Sequence, residues 1–209
     1  MNELQVFKIK SDFNYLSFFT DPDERGSPEM GEMLKQDILL GNGTPRAASW
    51  RALPLYAEKK AKPRGNFAHL WGLGKLAIDS RASELLKPIL RDTCELLPFL
   101  PLADGEVFYR FNLLAKVDCL DREKTKWFVD KNTGAKTSEI EEYHFHPSRF
   151  EKSSLFLLPK GGTLFAVTGT PTPEFEFKTV VEREGLTGLK FEEVWSEGGQ
   201  PIQRRSFFW

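Results

Sequence analysis

Cysteine is nearly absent from this chain of 209 residues, with only Cys94 and Cys119 present. Two thiols cannot build the disulfide framework of a small secreted scaffold, and both are expected to stay reduced. Charge of one sign is not in excess either. There are 29 Lys and Arg against 30 Asp and Glu, a formal net charge of −1. That lacks the basic footprint of a general nucleic-acid binder, and it is not acidic enough to mark a DNA mimic. Long apolar runs are missing. Those that exist, such as 155–158, fall far short of the ~20 residues that cross a bilayer as a helix. The segment Met1-Asn2-Glu3-Leu4-Gln5 has no basic stretch leading into an apolar one. No signal peptide is expected, and the expected compartment is the cytoplasm.

Catalytic signatures are also missing. No Gly-x-Ser-x-Gly elbow, Cys-x-x-Cys pair or zinc-protease motif occurs. Gly72-Leu73-Gly74-Lys75 looks faintly like a phosphate loop, but it lacks the Walker spacing and a Ser or Thr after Lys75. A strand also follows it where a phosphate loop would open a helix.

Aromatic residues are abundant: 18 Phe, 5 Trp and 4 Tyr. Such side chains carry large buried areas and also anchor protein interfaces. Core packing is the expected duty of most of them. The balance of 40% hydrophobic and 28% charged residues is that of an ordinary globular protein. No stretch reads as a linker, so one domain over residues 1–209 is expected.

The pattern predicts an α+β fold with mixed, mainly antiparallel sheets and a few packing helices. Strands are predicted at 4–9, 15–19, 75–78, 95–97, 155–158, 163–168 and 189–195, with the strongest at 107–117. Leu53-Pro54-Leu55-Tyr56 reads as an edge strand, because Pro54 cannot donate to a ladder. Residues 65–72 read as a folded loop with aromatic contacts. Residues 127–129 and 140–145 flank Lys131-Asn132-Thr133-Gly134 as a hairpin with a longer loop. A helix is predicted after Ser80 as cap, with Leu85, Leu86, Ile89 and Leu90 as its apolar stripe. Pro88 is expected to kink or restart it. A second helix is predicted with Thr172 as cap and Pro173 at its first position, buried through Phe177, Val180 and Val181 and stopped by Gly185. Leu189, Phe191, Glu193 and Trp195 then share one strand face. The segments around these helices share a strand–helix–strand plan; such units are common, and a duplication is not needed to explain them.

Three clusters carry candidate chemistry. His144 and His146 project on one face of a strand and could begin a metal site, with Asp118, Asp121 or His69 completing it. A metal-dependent hydrolase built on this pair is one alternative function. Ordinary histidines at a strand end explain the spacing as well. Asp118 and Asp121 could hold a divalent ion or do acid–base work, but turn formation is the simpler role. Cys94 as a nucleophile would need a basic neighbourhood that its flanking Thr93 and Glu95 do not supply. No cofactor, metal or catalytic residue is therefore assigned.

Several landmarks recur in a familiar order. They are Trp50 with Leu53-Pro54-Leu55-Tyr56, then Gly65-Asn66-Phe67, then Ser80-Arg81-Ala82 opening a Leu-rich helix, then Glu95-Leu96-Leu97-Pro98. Phe111-Asn112-Leu113-Leu114 leads to Val117-Asp118-Cys119-Leu120-Asp121. Leu155-Phe156 and Gly185-Leu186-Thr187-Gly188-Leu189-Lys190-Phe191 follow, ending at Trp195. The chain thus resembles the Imm11-like bacterial immunity proteins, an α+β family once described only as a domain of unknown function. The likeness covers most of the chain beyond about residue 40. It implies a cytoplasmic protein that binds and neutralises a cognate toxin of a polymorphic-toxin system by stoichiometric inhibition, and it implies no enzyme activity. The expected partner is the toxin, with no nucleic acid, membrane or small-molecule substrate. A non-catalytic scaffold protein is the other alternative. For the toxin-binding surface, Glu139, Glu141 and Glu142 offer charge and Trp71 an aromatic anchor. Their plainer roles are a solvated hairpin edge and a lid on the core.

Overall fold

The computed structural model describes residues 3–20, 43–58, 61–71, 75–130, 132–150, 153–200 and 202. The expectation placed on residues 72–74 lies outside the described residues. The strands are β1 (Gln5–Ser11), β2 (Phe18–Phe19), β3 (Tyr56–Ala57), β4 (Phe67–Leu70), β5 (Lys75–Asp79), β6 (Cys94–Pro98), β7 (Phe108–Leu113), β8 (Lys126–Val129), β9 (Lys136–Glu142), β10 (Leu155–Leu157), β11 (Leu164–Thr168) and β12 (Leu189–Ser196). The helices are α1 (Ser80–Leu90) and α2 (Phe177–Arg183). This is an α+β fold dominated by sheet, as its alternating and aromatic-rich segments dictate.

A four-stranded sheet runs β10-β11-β1-β12 and a six-stranded sheet runs β3-β2-β4-β5-β7-β6. All pairings are antiparallel except β2 with β4. The hairpin β8–β9 stands as a separate two-stranded sheet. β5–α1–β6 has β7 inserted between its strands, and β11–α2–β12 has β1 inserted between its own. Each is a split strand–helix–strand unit around an antiparallel third strand. β7 follows its unit in the chain whereas β1 precedes its own, so the two share a plan and not a chain order.

Both sheets bury both faces. A central cluster lies between them and takes Leu86 and Leu90 from α1, Phe177, Val180 and Val181 from α2, and Ile78, Phe111, Leu155 and Ala166 from the strands. A second cluster, with Val6, Phe145, Phe150, Phe156, Phe165 and Val167, covers the far face of the four-stranded sheet. Phe18, Leu70, Ala77, Phe99 and Phe108 cover the far face of the other. Two buried faces explain why Leu155, Phe156 and Leu157 form a continuous apolar run, with no apolar–polar alternation.

Several expectations need correction. Residues 67–70 form a strand where a loop was expected, because β5 and β2 supply pairing from both sides. The predicted edge strand at 53–56 is confined to Tyr56–Ala57, which does sit at the sheet edge. Asp79, not Ser80, caps α1: its Oδ1 accepts the Ala82 N–H at 2.7 Å. The Ser80 hydroxyl instead donates to the Val107 carbonyl. α1 continues past Pro88 to Leu90. Pro88 and Glu84 are both exposed, so water can reach the Glu84 carbonyl that loses its helical donor. Leu85 points outward, and Ala82 takes its place in the buried stripe.

Thr172 and Pro173 start a 3-10 turn, and α2 begins only after Glu176. The buried Glu176 carboxylate accepts from the Thr170 amide and from the hydroxyls of Thr170 and Thr179, which reseats the helix start. The stop at Gly185 holds as expected. Gly185 has φ +60, and the Gly185 and Leu186 amides donate to the Glu182 and Val181 carbonyls. On β12, a bulge opposite Val6 and Phe7 breaks the shared face. Leu189 and Phe191 pack on the central cluster, while Val194 and Trp195 turn to the second.

The two split units are tied by a polar junction. Asn66 Nδ2 donates to Asp79 Oδ2 at 2.8 Å, and Asn66 Oδ1 accepts the Thr187 N–H at 3.1 Å. The Phe67 amide donates to the Thr187 carbonyl. Arg81 reaches the Glu184 carbonyl at the end of α2. Gly188, at φ +100, lies so close that an added Cβ would sit 1.9 Å from the Phe67 carbonyl oxygen. Residues 65–67, 80–82 and 185–188 therefore meet at one structural joint.

Candidate protein-binding surface

Trp71 closes β4, and its amide donates to the Phe18 carbonyl. It was expected in a Gly-flanked loop, with a lid on the core as its plainer role. The structure puts it at the end of a strand, 41% exposed. Phe13 stands beside it, 51% exposed. Asp12 causes that exposure by folding the chain after β1 into a tight turn. Its side chain accepts the Asn14 amide, its carbonyl accepts the Tyr15 amide, and Lys190 holds its carboxylate at 3.0 Å.

Four rings converge here. Phe13 lies 5.9 Å from Trp71, Phe19 stacks on Trp71 at 6.1 Å, and His69 meets Trp71 edge-on at 4.7 Å and Phe13 at 5.1 Å. Ser11 Oγ lies 3.2 Å from His69 Nδ1. Burial pushes the His69 pKa down, which favours the neutral imidazole. The result is an aromatic patch with two of its four rings open to solvent. Sequence reasoning found only Trp71. Phe13 could have been found from Asp12-Phe13-Asn14, an Asp-led turn that gives its aromatic residue no core to enter.

The acidic group divides between two faces of β9. Glu139 is exposed and Glu141 half-buried. Glu142 is not a surface charge, because alternation turns it inward with Ile140, leaving it 2% exposed. Lys126 on the opposite strand meets its carboxylate at 2.8 Å and His144 Nε2 meets it at 2.6 Å. Lys126, with His144 second, holds the Glu142 carboxyl below its ordinary range. Trp71 follows a strand of the six-stranded sheet whereas the three glutamates lie on the hairpin, and no described contact joins them.

Of the metal candidates, Asp121 comes beside the histidines: its amide donates to the His144 carbonyl, and His146, whose amide donates to the Cys119 carbonyl, lies within electrostatic reach of its carboxylate; the others take separate local roles. His144 is engaged by Glu142, Asp118 pairs with Arg122 at 3.4 Å, and His69 belongs to the aromatic patch. Asp121 Oδ1 accepts the Glu123 and Lys124 amides, the turn role expected of it. Among the described residues, no group of three or more His, Cys, Asp and Glu side chains is placed to hold a metal ion. Both thiols sit where burial disfavours the thiolate. Burial pushes Cys119 up to about 12 and Cys94 upward as well. No helix among the described residues is long and apolar enough to cross a membrane.

No family model matches the chain, and no curated protein matches it.

Proposed function

We propose that the chain is an immunity-type protein that binds a cognate bacterial toxin and neutralises it as a stoichiometric partner, with no catalysis of its own. The observation that carries this reading is the exposed pair Phe13 and Trp71, 51% and 41% accessible, within one cluster of four rings. Large aromatic side chains left open together on a folded surface are the usual anchors of protein interfaces. The resemblance of the landmark order to that of Imm11-like immunity proteins supports a toxin as the partner.

In this proposal Phe13 and Trp71 are the anchors. Glu139 and Glu141, on the outward side of β9, steer a basic partner into contact. Glu142 keeps the hairpin in shape and does not touch the toxin. The protein acts in the cytoplasm as one folded domain. It needs no cofactor, metal, nucleic acid, membrane or small-molecule substrate for this task. The interface buries about 1,200–2,000 Å² in total, the size of a stable specific complex. The test is co-elution on a sizing column with the purified toxin encoded beside it. A stable one-to-one peak is expected, and separate elution at micromolar concentration would refute the proposal.

A further inference from the structure

A cavity of about 550 Å³ opens where the end of α1 faces the turns before β10 and α2. That volume lies in the range of small-ligand sites, roughly 300–1,000 Å³. Its walls mix apolar side chains, Ile89, Pro147, Phe150, Pro171 and Phe175, with serine and threonine hydroxyls. Three of the hydroxyls along it are already engaged in the fold. Thr93 donates to the Ile89 carbonyl, Ser154 to the Phe175 carbonyl, and Thr170 to Glu176.

The charge that remains is negative. Asp92 lines the cavity, and no described group pairs with its carboxylate. It follows directly on the C-terminal turn of α1, an 11-residue helix whose negative dipole end faces the same space. Glu176 adds a buried carboxylate behind Thr170. No lysine or arginine is among the described lining residues.

We propose that this cavity binds an organic cation, an ammonium or amidinium group carried on a flat apolar body. The body lies between Phe150, Phe175 and the proline walls, and the cationic head pairs with Asp92 at the end of α1. The site is independent of the toxin-binding surface, and it extends the chain's function to a small ligand.

The test uses three matched probes, benzamidine, neutral benzamide and anionic benzoate, titrated into the whole protein and followed by amide chemical shifts. Benzamidine is expected to bind about tenfold tighter than benzamide, the scale of one charge-assisted contact. Its shifts should centre on Asp92, Thr93 and Phe175, and benzoate should not bind. D92N should bring benzamidine down to the benzamide level. Asp92 is exposed and has no described partner, so this variant keeps the fold, and its spectrum shows that directly. Equal binding of all three probes, no saturable shift with benzamidine, or an unchanged affinity in D92N would each overturn the proposal. No toxin enters the experiment, so its failure is separate from any failure of the immunity reading.

Discussion

Asn66 and Asp79 are joined side chain to side chain at 2.8 Å, while the other oxygen of Asp79 caps α1 and the other end of Asn66 holds Thr187. A single amide thus links the six-stranded sheet, the start of α1 and the loop leading to β12. Replacing it with alanine leaves the buried Asp79 and the half-buried Thr187 each short of a partner. N66A should cost about 1–3 kcal/mol, and D79A about 1–2 kcal/mol through the lost cap. Urea denaturation checks both. The double variant should cost less than the sum, because the two side chains share a bond; strict additivity would show that the link is not energetic.

Two glycines near this joint should respond differently to alanine. Gly185 and Gly188 both have positive φ, but an added Cβ meets nothing within 4 Å at Gly185 and lies 1.9 Å from the Phe67 carbonyl oxygen at Gly188. G185A should cost about 1 kcal/mol, from backbone strain alone. G188A should cost well over about 2 kcal/mol, since backbone must move. Thermal unfolding of both variants ranks them, and equal losses would contradict the close approach.

Strands and stops with local causes were legible in the sequence. The aromatic run of β7, the hairpin around Lys131-Asn132-Thr133-Gly134 and the Gly185–Leu186 stop all follow from neighbours in the chain. Features decided by distant partners were not. β4 is four residues long and reads as a loop until β5 and β2 pair with it. Ser80 and Asp79 are both competent caps, and Asn66, 13 residues away from Asp79, accompanies the choice of Asp79. Glu142 reads as one of three surface acids until Lys126, 16 residues back, turns it into an inward pair. In the candidate site, Trp71 was visible as a residue type, but its partner Phe13 was not. Aromatic residues are expected inside, and only the Asp12 turn holds this one out.

Glu142 makes stability depend on pH in a defined direction. Its carboxyl is held below the ordinary value by Lys126 and His144. A depressed carboxyl contributes stability that is present above the unfolded pKa, about 4.3, and is lost as pH falls through the folded pKa. E142Q should therefore be less stable than wild type at pH 7, by about 1–3 kcal/mol. The gap should narrow as the pH is lowered below about 4.3. Urea midpoints measured from pH 7 to pH 3 check this; a gap that stays constant would show that the pair is not charge-dependent.

Neither thiol should behave as a nucleophile in the native state. With Cys119 pushed up to about 12 and Cys94 also raised by burial, thiolate is scarce at neutral pH. A disulfide-exchange dye at pH 8 should release almost no colour from folded protein and should report both thiols in denaturant. Rapid labelling of the native chain would contradict the burial.

The aromatic patch should matter to binding and little to folding. Phe13 and Trp71 are 51% and 41% exposed, so F13A and W71A should each cost well below the ~3–5 kcal/mol of a fully buried aromatic. In the immunity proposal each weakens toxin affinity by at least about 2 kcal/mol, the level of an interface anchor. Calorimetric titration against the toxin, beside thermal unfolding of the same variants, separates the two effects.

The most direct measurement of the central claim is survival of cells that express the neighbouring toxin gene together with this chain. Wild-type protein should restore growth. The F13A/W71A double variant, folded and at the same level, should not. Growth that stays arrested with soluble wild-type protein present would contradict the account.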